Sequence, residues 1–342
     1  MWSFVPPRCP NRTCAMHTAP KGKFFERRGS YAVKCRPHPV PRYRCRVCHR
    51  GFSFQTFRVD YRDHRPHENA RLFELLTSGV GLRQSGRLLK MNVGVIQRKF
   101  RKLGRAMRRL NRNLLHELPT GRVLLLDEFE TYETSGICPV TVPVLIDGAS
   151  RLVLAHGAAP IRRSATKGSR RDRWLQRFEK KHGRRRDKSR RCLQSLLRRC
   201  KQLLGGKPAT LLTDEKPMYA SLIRRVFTNS VTHVTVSSRR PRATWNPLFP
   251  INHTEAMLRD NCGRLRRRSW LLSKKARYVR CHLHLFAAYR NWHRPRTNGH
   301  PAAPGVASGL LPRNLTVAEI LAWRQDWQRV SLHPTFGCRA PG

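Results

Sequence analysis

The stretch VLLLDEFETYE, residues 123–133, places four carboxylates at the end of an apolar run in a chain that has few to spare. The 342 residues hold 70 Lys and Arg against 20 Asp and Glu, a formal charge of +50, with a pI near 11.6. Four of those 20 acids, Asp127, Glu128, Glu130 and Glu133, fall within seven residues. Val123 and the three leucines after it read as a buried strand. Two more strand-like runs follow, VTVPVLID (140–147) and RLVLAHGA (151–158), separated by short polar or glycine-containing breaks. ATLLTDE (209–215) and VTHVTVSS (231–238) supply a fourth and a fifth. Helical patterns lie around Tyr219 to Val226 and from about His253 to Trp292, so the segment is expected to fold as an α/β unit.

The charge narrows the partners. At +50 the chain repels itself unless a polyanion neutralises it, which makes nucleic acid the leading partner. A ribosomal-type protein is the plain alternative, but such chains seldom carry organised carboxylate strands. A membrane surface fits less well, because no apolar run approaches the roughly 20 residues of a bilayer span. The first residues, MWSFVPPRCP, also lack the apolar core of a signal peptide, so the expected location is the cytoplasm. Eleven cysteines there argue for a metal site and buried thiols rather than a disulfide framework.

Cys9 and Cys14 form one pair, Cys45 and Cys48 a second, with 30 residues between the pairs. Zinc takes four such ligands in a tetrahedron, and two short cysteine turns supply them. The second turn, YRCRVCHRGFS, has the aromatic and basic flanks of a zinc ribbon, so residues 1–66 are expected to be a zinc-binding module. His17 could replace Cys9 as a ligand, and Cys35 reads as a bystander. Four free thiols in a mobile arm are disfavoured, since so few aliphatic residues leave no other source of folding energy.

Residues 67–118 turn helical. Leu72, Leu75 and Leu76 mark the inner face of a first helix that Ser78 and Gly79 end. Leu82, Leu88 and Leu89 mark a second. Asn92 is placed to cap a third, in which Val93, Ile96 and Phe100 face inward while Gln97, Arg98 and Arg101 face out. A basic helix with exposed Gln and Arg after two shorter ones is the pattern of a helix-turn-helix offered to a major groove; the alternative is a small bundle with a solvated basic face.

Asp127 and Asp214 both end apolar strands. If those strands are neighbours, their carboxylates emerge side by side and a divalent cation between them relieves the repulsion. Glu255 lies in NHTEAMLRDNCGRLRRRSW, where helical spacing aligns it with Asn252 and Arg259. A helix packed on the sheet edge would bring it to the same metals, and three carboxylates around two Mg²⁺ (or Mn²⁺) ions suit phosphodiester chemistry. Alternation turns Glu128 away from Asp127, so Glu128 is expected to play a supporting or structural part. Residues 161–207 carry 19 Lys and Arg against three acids, and the segment after 295 reads as loop with one short helix in VAEILAWRQDW.

These stretches together resemble a bacterial insertion-sequence transposase of the Asp-Asp-Glu class, the type with a zinc ribbon and helix-turn-helix before the catalytic domain. YRCRVCHRGFSFQTF, SGVGLRQSGRLL, LLLDEFETYE, TDEKPMYASLIRRVF and NPLFPINHTEAMLRDNCGRLRRRSWLLSKKARYVRCHLHLFAAYRNW carry the resemblance across most of residues 9–292. It implies an RNase-H-like catalytic domain over 119–295 with a mixed, mainly five-stranded sheet flanked by helices. It also implies a Mg²⁺-dependent triad of Asp127, Asp214 and Glu255, and cleavage and joining of element ends by a protein at least dimeric on double-stranded DNA. Arg259, Arg266, Arg267 and Lys274, in the arginine run and the Ser273–Lys274 step, are the expected DNA contacts of that domain. The basic 161–207 insertion departs from the pattern and has no assigned partner. A regulator that keeps the catalytic fold as a scaffold, or a nuclease on the same fold, remains an alternative.

Overall fold

The computed structural model describes residues 4–34, 38–118, 121–162, 164–228, 230–237, 239–241, 243–266 and 272–323; Cys35 and Arg267 lie outside them. Cys14 leads into a single helical turn, α1 (Ala15–Thr18). Three antiparallel strands follow, β1 (Phe25–Tyr31), β2 (Val40–Cys45) and β3 (Gly51–Ser53). The core of this small sheet is aromatic rather than aliphatic: Phe24, Tyr43, Phe52 and Phe57 pack against Cys9, Cys14 and Cys45.

Three helices come next, α2 (Glu68–Thr77), α3 (Leu82–Leu88) and α4 (Val93–Leu114). Leu72, Leu75 and Leu76 are buried as expected, and Asn92 caps α4, its Oδ1 accepting the Gly94 N–H at 2.8 Å. Two expected inner-face residues point outward instead, Leu88 at 58% exposure and Val93 at 46%. The reason is a close backbone approach: a Cβ on Gly86 would lie 2.9 Å from the Met91 carbonyl oxygen. The inner face of α3 therefore runs through Ser85 and Gly86, and Leu88, two residues on, turns away from it. In α4 the buried face begins only at Ile96 and includes Lys99, which is 2% exposed. Its Nζ donates to Asn69 Oδ1 (2.8 Å) and the Arg65 carbonyl (3.2 Å) and faces Asp63 at 3.4 Å.

The central sheet begins with β4 (Arg122–Tyr132), β5 (Pro139–Asp147), β6 (Val153–His156) and the two-residue β7 (Ala159–Pro160). The basic segment then forms α5 (Arg170–His182) and α6 (Ser189–Leu204). Helix α6 buries Leu193, Leu196, Leu197 and Leu203, whereas α5 buries Leu175 alone. Strand β8 (Ala209–Thr213), helix α7 (Pro217–Phe227) and strand β9 (Val231–Thr235) complete the sheet. Its order is β6-β5-β4-β8-β9 with β7 added to β5, six strands where five were expected. The β4–β5 and β5–β6 pairs are antiparallel; β4–β8 and β8–β9 are parallel.

The single helical pattern expected over 253–292 is two helices, α8 (Phe249–Asn261) and α9 (Ala276–Trp292), because Cys262 takes an extended conformation and ends the first. Two short helices, α10 (Pro304–Ala307) and α11 (Val317–Ala322), follow. One face of the sheet, through Leu124, Leu126, Leu145 and Leu211, packs with α4, α6 and α7; the other, through Leu125, Phe129, Val142 and Val144, packs with α8 and α9. Helix α4 lies along α9, and Gly104 makes the approach possible: a Cβ there would meet Cys281 Cβ at 3.0 Å. The helical segment 68–114 thus shares one continuous core with the sheet. Among the described residues no helix is long and apolar enough to cross a membrane.

Candidate functional site

The first candidate is the cysteine cluster. Cys45 ends β2, Cys48 lies in the turn before β3, and Cys9 and Cys14 flank the loop facing them. Their four sulfurs all lie within 4.8 Å of one another. Cys9 Sγ is 3.5 Å from Cys48 Sγ, and Cys14 Sγ is 3.9 Å from Cys45 Sγ. A disulfide needs about 2.05 Å, whereas a tetrahedron of 2.3 Å zinc–sulfur bonds spaces its sulfurs about 3.8 Å apart. The set therefore fits a zinc ion. Burial alone would raise the Cys48 thiol, but the Arg50 N–H and the neighbouring sulfurs outweigh it and bring it down to about 7, easing loss of the first proton. His17 does not stand in for Cys9: its ring pairs with the Cys9 carbonyl at 2.7 Å and steadies that loop.

The second candidate is the acid-bearing end of β4. Leu124 pairs with Leu211 and Leu125 with Leu212, so two residues further along the same parallel register Asp127 lies beside Asp214. Strands in a sheet are about 4.8 Å apart. Asp214 stands at the carboxyl end of β8, where open α/β sheets bind ligands, whereas Asp127, expected to end its strand, lies in the middle of β4, which stays paired with β5 as far as Tyr132. Asp214 lies one residue past β8, and its Oδ1 accepts the Lys216 N–H at 3.1 Å, which turns the chain into α7. Glu255 is on α8 and only 6% exposed. Its helix neighbours Ile251 and Leu258 share a core cluster with Leu125 and Phe129, the residues on either side of Asp127 on the same face. Arg259, one turn further along α8, stacks over Phe129 at 4.9 Å. Asp127 and Glu255 thus belong to the α8 side of the sheet, while Asp214 follows the end of β8 at the turn into α7. The acids are not drawn into one tight cluster, however. Among the described residues, the four cysteines form the only group of three or more potential ligands gathered within 4.8 Å.

The remaining acids of the opening stretch have partners elsewhere. Glu128 points to the opposite face, as alternation predicts, where it pairs with Lys216 Nζ at 2.9 Å and accepts from Thr141 Oγ1. That ion pair ties the Asp214 turn to β4, a role for Lys216 that its place in TDEKP does not announce. Glu133 accepts from Arg185 Nη2 at 2.8 Å and from the Ala276 N–H at the start of α9. Tyr219 lies close by on α7, buried; burial and then the charges of Glu128, Asp127 and Asp214 push its phenol far above the ordinary range. Sequence reasoning missed Tyr219, whose only signal was its spacing from Asp214.

Gln97, Arg98 and Arg101 are exposed along one side of α4, as expected. Arg266 and Lys274 are also exposed, while Arg259 is half-buried against Phe129. No family model matches the chain, and no curated protein matches it.

Proposed function

We propose that the protein is a DNA transposase of the Asp-Asp-Glu class, which binds the ends of an insertion sequence and catalyses metal-dependent strand cleavage and strand transfer. The observation that carries this reading is the parallel register that sets Asp127 beside Asp214, with buried Glu255 on the helix covering that face. With the two-residue β7 left out of the count, the strand order within the domain is 3-2-1-4-5, three antiparallel strands followed by two parallel ones, which supports an RNase-H-like fold. The cysteine cluster and the exposed Gln97–Arg98–Arg101 face of α4 support a zinc ribbon and a helix-turn-helix ahead of it.

In this reading Asp127 on β4 and Asp214 after β8 would hold a divalent cation, with Glu255 as a further donor from α8. Oxygen donors of this kind suit Mg²⁺ or Mn²⁺, which when bound activates the attacking oxygen and stabilises the leaving one. Lys216, held by Glu128, fixes the turn that carries Asp214. Arg259, one turn from Glu255 on α8, and the exposed Arg266 and Lys274 would supply positive charge for the phosphates of the DNA. The test begins with the DNA flanking the gene: terminal inverted repeats are expected there. The purified protein should retard a fragment carrying one repeat and nick it with Mg²⁺. Tight specific binding without cleavage in any divalent metal would favour the regulator instead.

A further inference from the structure

Three helices turn basic stripes toward one trough at the β6 edge of the sheet. Arg105, Arg108 and Arg112 stand at i, i+3 and i+7 on α4. Arg191, Ser195 and Arg198 stand at i, i+4 and i+7 on α6, and Arg277, Arg280 and His284 at i, i+3 and i+7 on α9. Such spacing is one face of a helix, so each stripe looks into the same space. The trough encloses about 1080 Å³; nine Arg and Lys line it and, among the described residues, no Asp or Glu. Like charges at these spacings weaken a helix, and low-dielectric walls of one sign concentrate the field between them. The arrangement favours a polyanion.

The floor is of a different kind. Leu154, Ala155 and Ala158 of the β6 segment line it together with Ala276 and Ala287 of α9, and the rings of His156 and His284 lie 4.6 Å apart. Burial holds both imidazoles well below their ordinary range, His156 at about 4 and His284 at about 2. At neutral pH the rings are uncharged, flat and amphipathic. His156 Nδ1 has no hydrogen-bond partner among the described residues. A duplex keeps its base faces stacked inside and would leave this floor unmet. A single strand offers phosphates along one side and base faces along the other, which calls for charged walls and a stacking platform.

We propose that the α4–α6–α9 trough holds a segment of single-stranded nucleic acid, with phosphates on the arginine walls and bases against the β6 floor and the His156–His284 rings. This gives the basic 161–207 segment a ligand through α6. Gln97, Arg98 and Arg101 do not line the trough, nor do Asp127, Asp214 and Glu255; Arg101 stands one turn before Arg105 and continues its stripe toward the amino end of α4.

The test uses the full chain without divalent metal, so its failure leaves the strand-cleavage reading untouched. Affinity for a labelled oligo-dT is measured against salt for the wild type and for the combined Arg108→Ala, Arg191→Ala, Arg280→Ala variant. Each phosphate contact contributes about −0.7 to the log–log salt slope on a single strand. Loss of three should flatten the slope by about 2 and weaken binding roughly tenfold or more at moderate salt. Retardation of a duplex terminal fragment should change much less. In the wild type, a 5-iodouracil oligonucleotide should cross-link to peptides from α4, α6 or α9 that line the trough, a readout that stands even if the variant fails to fold. Unchanged slope and affinity, cross-links confined to other segments, or equal losses on single strand and duplex would overturn the proposal. So would inorganic tripolyphosphate displacing the strand, phosphate for phosphate, as well as unlabelled oligo-dT does; the trough would then be a site for free polyphosphate.

Discussion

Replacing Glu133 separates the structural acids of the β4 cluster from the proposed catalytic ones. Its two oxygens accept from Arg185, 2.8 Å away, and from the Ala276 N–H that opens α9. The side chains of Glu133 and Arg185 are 17% and 14% exposed, so both bonds lie largely out of water. A hydrogen bond to a charged group contributes about 1.5–3 kcal/mol, which puts the two together at about 3–6 kcal/mol. Two compensations lower that sum. Arg185 keeps its bonds to the Ile161 and Pro139 carbonyls, and an N–H in the first turn of a helix can turn to water. Glu133→Ala is therefore expected to cost about 2–4 kcal/mol, and Glu133→Gln, which keeps an acceptor for Ala276, about 1–2 kcal/mol. Urea unfolding of both variants, with Arg185→Ala and the double variant, gives the coupling, expected at about 1–2 kcal/mol. A Glu133→Ala protein as stable as the wild type, or a coupling near zero, would refute this account of Glu133.

Cys45→Ser should release about one equivalent of zinc and unfold residues 4–57, because the metal supplies most of that module's folding energy; unchanged metal content would exclude Cys45 as a ligand. His282 is buried, paired with the Leu76 carbonyl at 2.7 Å and Arg264 at 3.0 Å, and held at about 3, by burial first and the Arg264 charge second. A depressed folded value means the unfolded chain binds the extra proton. The stability tied to neutral His282 is full above about pH 6.5 and declines by about 1.4 kcal/mol per pH unit below that, toward pH 3. Denaturation series from pH 7 to 4.5 should show this slope in the wild type and lose that increment in His282→Gln. Arg98→Ala should weaken duplex binding by about 1–3 kcal/mol if it reads a base; an equal loss on every sequence would make it a phosphate contact.

Much of the fold is legible in the sequence, because buried strands leave continuous apolar runs. RVLLLDEF, VTVPVLID, RLVLAHGA, ATLLTDE and VTHVTVSS locate β4, β5, β6, β8 and β9, although β4 runs on to Tyr132 and β6, β8 and β9 are shorter than their runs. The cysteine spacing likewise foretells the cluster. Residues whose position depends on distant partners are harder to read. FERRGSY of β1 is mostly exposed and shows no alternation. Lys99 looks like a surface residue until Asn69 and Asp63 fold over it. Leu88 and Val93 look inward until the Gly86 approach is known, and the packing of α4 on α9 depends on what Gly104 lacks. At the site, strand position identifies Asp127 and Asp214, but only the fold reveals Lys216 bridging to Glu128 and Glu133 serving α9.

Asp214→Asn tests the catalytic role of these carboxylates most directly. The change keeps the side chain's shape and the acceptor that caps the turn into α7, and removes one negative charge beside Asp127. With a labelled terminal repeat, Mg²⁺-dependent nicking and gel retardation are measured on the same DNA. Cleavage should fall by several orders of magnitude while retardation persists or strengthens, with Asp127→Asn and Glu255→Gln behaving alike and Glu128→Gln keeping much more activity. Full cleavage by the Asp214→Asn protein would contradict the assignment of these carboxylates to catalysis.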